Sequence, residues 1–396
     1  MKRIGTMAIG IKAPIIREGD DLVSITSESL KKAQAEHGFA IDDRDVICIT
    51  EAIVAKAQGN FVTVDDIASD LKRKFNHMKE DEPIGVVFPI LSRNRFSLIL
   101  KGIAKAFSRV VIQLSLPTDE VGNPLVGEEE YYNKSIDFLN QVMEESDFRS
   151  VFSKPLHPFT GVDYLEYYKE VVGEGAKVIL SNNPQAILAY TPNVIVANIH
   201  KRAFTKKSLE KAGVKKVVTL DEIMNEPVGK SGYHPMYGVL GSNKATEEKL
   251  KLFPRDSQWL VEAVQKRIFQ ETGKKVEVMV YGDGAFKDPV GGIWELADPV
   301  VSPFHTAGLH GTPNEIKFKY VIDTALKGLT GSEEEKALKE LILKKEASLV
   351  GKDVSLGTTP RRYIDLLGSL ADLLGGSGDK GTPIILIKGY FDNYAS

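Results

Sequence analysis

Apolar positions in this chain repeat with two different periods, and the switches between them mark the elements. From Asp20 to Ala35 the spacing is helical, with Leu22, Ile25, Leu30 and Ala33 on one face. The run Asp45-Val46-Ile47-Cys48-Ile49-Thr50 is short and continuously apolar, as a strand buried on both faces would be, and Ile53-Val54-Ala55-Lys56-Ala57-Gln58-Gly59 follows it. Up to about residue 82 the chain reads as strand, helix, strand, helix. Between 83 and 235 the alternation is more regular. Strands are predicted at Gly85–Ile90, Val110–Leu114, Lys177–Leu180, Val194–Ala197 and Lys216–Thr219. Helices fall between them at Phe96–Phe107, in a polar, Tyr-rich stretch, from Pro184, and over the basic segment 204–212. Apolar strands separated by helices imply a parallel sheet covered on both faces. After 236 come a helix over Ser257–Thr272, the strand Val276–Tyr281, amphipathic helices over 332–348 and 361–374, and a closing strand Ile384–Ile387.

The fold class expected is α/β. A mixed α+β body is formed from 1–82 and 236–396, and a doubly wound, Rossmann-like parallel-sheet domain is inserted at 83–235. A chain of 396 residues is long enough for such a division.

Charge and composition narrow the function. Lys plus Arg minus Asp plus Glu is 51 − 54 = −3, so no global basic field points to nucleic acid or an anionic membrane, and any anion site must be local. The single cysteine, Cys48, excludes an intrachain disulfide or a multi-cysteine metal site, and its apolar surroundings make it a small core residue. No apolar run reaches the length of a membrane span, and Met1-Lys2-Arg3-Ile4-Gly5 opens no secretory signal. The expected location is cytoplasmic.

Four polar constellations could carry chemistry. The first is the stretch from Gly282 to Gly292, which leaves an apolar strand carrying Asp283 and Asp288, with Glu295 and Asp298 beyond. Hard oxygen ligands at a glycine-rich strand end suit Mg²⁺ or Mn²⁺ bridging phosphates, although a polar turn capped by Asp283 would need the same residues. The second is Gly357-Thr358-Thr359-Pro360-Arg361-Arg362 at the mouth of a helix. It reads either as an anion clamp or as a capped helix start with solvated arginines. The third, Gly375 to Pro383, is glycine-rich but lacks phosphate-loop spacing, and a connector reading stays open. The fourth comprises three clusters at the strand ends of 83–235: Ser92-Arg93-Asn94-Arg95, Ser181-Asn182-Asn183 and Asn198-Ile199-His200-Lys201-Arg202. Ligands of open parallel sheets bind at that edge, so Arg93, Arg95, Asn182, His200 and Arg202 are candidates for holding an acidic substrate. His305 and His310 flank a short loop, and His305 is a candidate general acid/base or a plain surface residue. No Gly-x-Ser-x-Gly elbow or zinc-type histidine spacing occurs.

Both ends of the chain resemble a known family, the ligase that adds glutamate in γ-linkage to the deazaflavin coenzyme F-420. Pro14-Ile15-Ile16-Arg17-Glu18-Gly19-Asp20-Asp21-Leu22 is similar to the family's opening, and Ile53 to Gly59 to its "IVSKAEG" motif. Leu252-Phe253-Pro254-Arg255-Asp256-Ser257 with Val278 to Phe286 resembles its "LLP-D" segment and "IISDTFGR" strand end. Asp365 to Leu374 with Pro383 to Gly389 resembles its closing helix and strand. The resemblance covers the two parts of the body, which makes 1–82 and 236–396 ligase-like, and it leaves 83–235 as an insertion.

The resemblance implies an amide ligase dependent on GTP (or ATP) and Mg²⁺ or Mn²⁺, generally a homodimer, that phosphorylates an acid and lets the amine of an amino acid such as glutamate attack the acyl-phosphate. Asp283 falls on the metal-binding aspartate of "SDT", with Asp288 and Glu295 as further metal candidates. Lys56 falls on the lysine of the front motif, with Thr358, Thr359, Arg361 and Arg362 as further nucleotide contacts. The family's "AGxDxSN" segment corresponds to Gly238-Val239-Leu240-Gly241-Ser242-Asn243, where Ser242 and Asn243 remain and Leu240 stands at the aspartate. Gly284 replaces the family's threonine. These departures point to a related ligation on a different small-molecule acid. A metal-dependent phosphotransferase or phosphohydrolase and a non-catalytic nucleotide-binding protein remain alternatives.

Overall fold

In a computed structural model the described residues are 4–395 apart from 135, 153–155, 158–159, 289, 359–360 and 376–377. The strands, in chain order, are β1 (Met7–Ile11), β2 (Val46–Thr50), β3 (Phe61–Thr63), β4 (Ile84–Val87), β5 (Val110–Leu114), β6 (Met143–Glu144) and β7 (Ala176–Leu180). They continue as β8 (Asn193–Val196), β9 (Lys216–Thr219), β10 (Asn243–Lys244), β11 (Lys249–Lys251), β12 (Glu277–Tyr281), β13 (Phe304–His305) and β14 (Ile384–Lys388). The protein is a mixed α/β structure built on several sheets, one of them largely parallel.

The first sheet has the order β1-β14-β2-β12-β13 and joins the two ends of the chain. Its central pair, β2 and β12, runs parallel with Thr50 opposite Tyr281, and the flanking pairings are antiparallel. Successive side chains of a strand point to opposite faces, and the cores follow that period. Ile47, Ile49, Val278 and Val280 pack beneath the helices Leu22–His37 and Gln258–Thr272, together with Leu30, Leu260 and Val264. Val46, Cys48, Met279 and Tyr281 pack against Leu367 and Ala371 of the helix Tyr363–Leu374. Each fully buried Leu or Ile in these layers contributes about 1.5–3 kcal/mol. Cys48 is fully buried, and burial pushes its thiol upward, consistent with a core role.

The second sheet has the order β6-β7-β5-β4-β8-β9. The last five of these run parallel, and β6 adds an antiparallel edge. Numbered by their own sequence, the parallel strands lie 3-2-1-4-5, which puts the reversal of strand order between β4 and β8. One face carries Val86, Ile112, Val178 and Ile195, and the other Val87, Val111, Ile179 and Val196. The first of these cores reaches beyond 83–235. It takes in Ile67 and Leu71 from the helix Val64–Lys74, and Val62 and Leu250 from a three-stranded sheet of order β10-β11-β3 that the apolar pattern did not predict. A smaller cluster (Val321, Leu326, Leu338, Ile342) holds the segment around the helix Gly331–Lys344.

Other predicted elements differ in detail. β4 stops at Val87, where Phe88 takes a left-handed φ of 56°. The segment from Pro184 is a 3-10 helix rather than an α-helix, and the Tyr-rich stretch is broken into short helices with β6 between them.

Candidate active site

β2 and β12 end side by side, and the residues that follow them open into a cleft of about 600 Å³ between the two sheets. At the end of β12 the backbone is pinned on both sides. Gly282 N–H donates to Val301 O (2.7 Å), Gly284 N–H to Asp372 Oδ2 (2.8 Å) and Ala285 N–H to Ser369 Oγ (2.9 Å). A Cβ on Gly282 would lie 2.2 Å from Asp298 Oδ2, so only glycine lets the strand end pass this carboxylate. Asp283 N–H donates to the same carboxylate at 2.8 Å.

Five charges of the cleft come from five different elements. Asp283 follows β12, Glu51 follows β2, Asp372 stands on the helix Tyr363–Leu374, Lys251 ends β11, and Arg95 lies just ahead of the helix Ser97–Ala106. Arg95 Nη2 meets Asp283 Oδ2 at 2.5 Å, and Nη1 meets Asp298 Oδ1 at 2.9 Å. Lys251 Nζ lies 2.5 and 2.7 Å from the two oxygens of Glu51. Asp298 is 3% exposed, and a side chain this deep needs hydrogen-bonding partners such as Arg95. Burial, reinforced by Asp298 and opposed by Arg95, pushes the Asp283 carboxyl up to about 7. Burial also raises Glu51 to about 7 against the pull of Lys251. Asp372 is raised by burial, with Glu295 and Asp298 adding repulsion. Lys56, Asn94, Asn243 and Lys244 complete the wall, with the apolar Ile15 and Ile16 beside them.

The segment 282–298 links the two sheets. Trp294 N–H donates to Val121 O (2.7 Å), His200 Nε2 to Leu296 O (2.5 Å), and Asp298 accepts from Arg95. The loop that leaves the first sheet thus lies across the carboxyl edge of the second.

A family model described as F420-0:Gamma-glutamyl ligase matches residues 10–389. The chain belongs to the γ-glutamyl ligase family. The matched range encloses 83–235 as well as both ends of the chain, and the family is one of ligase enzymes. A comparison with curated proteins gave no significant match.

In this ligase-family chain the residues singled out by sequence separate into groups. Lys56, Asn243, Arg95 and Asp283 meet in the cleft. Glu295 lies close enough to repel Asp283 and Asp372. Asp288 instead accepts the backbone amide of Gly291 in its own turn and is not in the cleft wall. Among the described residues no three His, Cys, Asp or Glu side chains are already gathered as a metal-binding group. Ser242 is buried beside Arg95, and its hydroxyl has no partner among the described residues. Arg361 reaches Ala285 O at 3.3 Å, on the loop of Asp283, whereas Arg362 pairs with Asp365 of its own helix. Thr358 donates to Ser355 O and lines a separate cavity of about 220 Å³, and Thr359 lies outside the described residues. His305 stacks edge-on with His310 at 4.7 Å on the outer strand β13, away from the cleft wall, and its half-burial lowers its pKa.

Of the remaining candidates at the second sheet's carboxyl edge, Arg202 and Asn182 are engaged internally. Arg202 Nε bonds Asp221 (2.9 Å) and Nη1 bonds Ile199 O (2.5 Å), while Asn182 bonds Leu116 N–H and O, both at 2.8 Å. Three consecutive amides, of Ile199, His200 and Lys201, are taken by Glu120 at 2.6–3.0 Å. Arg93 is exposed and is not in the cleft wall. Glu51, Lys244, Lys251 and Asp372 were not singled out by sequence. Glu51 carried a signal, since it directly follows a predicted buried strand. Asp372 and Lys251 did not, because only the packing of a distant helix and of an unpredicted sheet brings them in.

Proposed function

We propose that the chain is a nucleotide- and divalent-metal-dependent amide ligase, joining an amino acid such as glutamate to a small-molecule acid through an acyl-phosphate. The observation that carries this reading is the cleft in which Asp283, at the end of a buried strand, faces Lys56, Arg95, Lys244 and Lys251. Phosphoryl transfer spreads negative charge over the reacting oxygens, and a water-poor pocket with fixed cations stabilises it.

The donor set fits Mg²⁺ or Mn²⁺. The repulsion that Asp298, Asp372 and Glu295 exert on Asp283 is the field that a hard divalent cation relieves, and Asp283, Asp372 and Glu295 carry oxygen donors of the right kind. Asp283, with Glu295 or Asp372, would hold such an ion, which when bound supplies Lewis-acid neutralisation of phosphate charge. Lys56 and Lys244 hold the phosphates of GTP (or ATP) from the cleft wall. Lys251 pairs with the buried Glu51 beside them. Ile15 and Ile16 give the acid substrate an apolar surface and reduce the water around its carboxylate. In this reading the six-stranded sheet is an inserted Rossmann-like domain that contributes Arg95 to a ligase body, and the enzyme works in the cytoplasm as a homodimer.

The test is to incubate the protein with GTP or ATP, Mg²⁺ and a panel of small acids, with and without glutamate. Amine-dependent release of the nucleoside diphosphate supports ligation. Release that ignores the amine would replace the ligase reading with a phosphotransferase or phosphohydrolase. Nucleotide binding with no turnover on any acid would make it a non-catalytic nucleotide-binding protein.

A further inference from the structure

The buried ion pair in the cleft wall offers more than a tie between two elements. Glu51 leaves β2 where Asp283 leaves β12, and the parallel register that sets Thr50 opposite Tyr281 continues to bring Glu51 level with Gly282, beside the aspartate. The partners of the two carboxyls differ in kind. Asp283 is gripped by the planar fork of Arg95, which also holds Asp298. Glu51 meets a lysine, whose Nζ lies 2.5 and 2.7 Å from its two oxygens. An ammonium on a flexible stem is a point contact that can be exchanged, whereas a guanidinium shared by two carboxylates is fixed.

Glu51 and Lys251 are both buried, and they come from different sheets, one following β2 and the other ending β11. Among the described residues neither makes another ion pair or side-chain hydrogen bond. Taking two charges out of water is costly, and a matched apolar pair would join the two elements as well. What the ion pair adds is a negative and a positive group side by side in the wall of an open cleft. That arrangement is the complement of a zwitterion. An α-amino acid can replace the internal pair by two external ones, its ammonium on Glu51 and its α-carboxylate on Lys251, and the exchange strands neither buried charge.

Resting on the ligase reading above, we infer that Glu51 and Lys251 form the amino-acid subsite of the cleft, with Glu51 as the base for the incoming ammonium and Lys251 as the anchor of its α-carboxylate. An ammonium has no lone pair and must lose a proton before it attacks. A Glu51 oxygen accepts that proton, and the freed nitrogen lone pair forms the C–N bond at the acyl carbon. The C–O bond to the phosphoryl group breaks with its electron pair on the phosphate, which leaves as hydrogen phosphate carrying the second N–H proton. Glu51 then gives its proton to water and Lys251 returns to it. Burial, which raises Glu51 to about 7, suits this cycle, because a carboxyl near neutrality can both take and release a proton.

The experiment compares two nucleophiles in wild type, Glu51→Gln and Lys251→Met, each with GTP or ATP, Mg²⁺ and the panel of small acids. L-Glutamate arrives as an ammonium with an α-carboxylate. Hydroxylamine is largely uncharged near neutral pH, has no carboxylate, and traps an acyl-phosphate as a hydroxamate that iron(III) colours. Glu51→Gln should lower the ratio of glutamate-dependent to hydroxylamine-dependent product on the order of 100-fold or more, through kcat. Lys251→Met should raise the KM for L-glutamate about tenfold or more and erase its preference over 4-aminobutyrate, which lacks the α-carboxylate. If the ratio holds in Glu51→Gln, or both products fall together, the base assignment is overturned while the ligase reading stands. A Lys251→Met enzyme that still prefers L-glutamate overturns the anchor. If wild type yields hydroxamate with none of the acids, the ligase reading fails and the subsite with it. Circular dichroism and thermal melting check folding. Where a single variant does not fold, the double variant Glu51→Gln with Lys251→Met, which leaves no buried charge unpaired, takes its place and should show both losses.

Discussion

The two large sheets set polar residues at their carboxyl ends in the same way, yet only one edge is open. After β2 and β12, Glu51 and Asp283 look into a cleft of about 600 Å³, with carboxyls raised to about 7 by burial. At the second sheet several of the equivalent positions are engaged internally. Glu120 fills three amides, Asn182 and Arg202 hold loop carbonyls, and His200 fastens the 282–298 segment. The comparison teaches that strand-end polarity marks where a site can form, while the balance of internal partners decides whether it does. In the first sheet charged side chains line an open cleft, and in the second most polar groups at the strand ends are engaged internally, with Gln113 Oε1 and Asn198 Oδ1 buried without a partner among the described residues.

Mutations on the two sides should therefore fail differently. The largest expected effect is at Asp283. Asp283→Asn should lower Mn²⁺ affinity on the order of 100-fold or more by titration, since even an outer partner of a metal ligand is worth 10–100-fold. The melting transition should stay near wild type, because asparagine keeps an oxygen acceptor for Arg95. Asp298→Ala should be the opposite case within the same cleft. It leaves Arg95 half-paired and removes the acceptor of Asp283 N–H, costing about 3 kcal/mol in denaturant unfolding. On the second sheet, Glu120→Ala should cost about 1–3 kcal/mol by stranding three amides, with nucleotide affinity in the cleft unchanged. A drop in nucleotide affinity there would erase the distinction between the two edges. The smallest effect is expected for Arg202→Ala, whose pair with Asp221 is part-exposed. It should cost about 0–1 kcal/mol and leave ligand binding alone.

The pH dependence sharpens the same contrast. Asp283 and Glu51 have folded-state pKa values raised to about 7, above ordinary values of 3.8 and 4.5. Between those limits the folded protein holds more protons than the unfolded chain, so stability from these groups is present below pH 4 and is lost as pH rises toward 7. Affinity for a divalent cation runs the other way, because the ion must displace those protons, and should rise to a plateau just above pH 7. Asp283→Asn should flatten both curves. Urea unfolding and Mn²⁺ titration at stepped pH measure the two slopes.

Much of the fold was legible in the sequence because its strands are continuous apolar runs. β2, β5 and β12, the helices at 258–272 and 363–374, and the closing strand all follow the predicted pattern. The three-stranded sheet was not legible, since β3, β10 and β11 have two or three residues each, too few for a period to show. The lining of the candidate cleft was half legible. Asp283 and Lys56 stood out through strand-end glycines and a familiar motif, and Arg95 through its polar cluster. Its neighbours Arg93, His200 and Arg202 looked equivalent in sequence, because nothing local distinguishes an arginine reaching a distant aspartate from one satisfied by its own loop. Asp372 and Lys251 enter the cleft only through tertiary packing.

The central claim is that the cation site lies at the end of β12, and anomalous diffraction from crystals soaked with Mn²⁺ and a non-hydrolysable GTP analogue tests it most directly. The account predicts a manganese peak on the Asp283 carboxylate, with the nucleotide phosphates extending toward Lys56 and Lys244. A peak at the carboxyl edge of the six-stranded sheet, or a nucleotide seated there with Asp283 still bound only to Arg95, would contradict it.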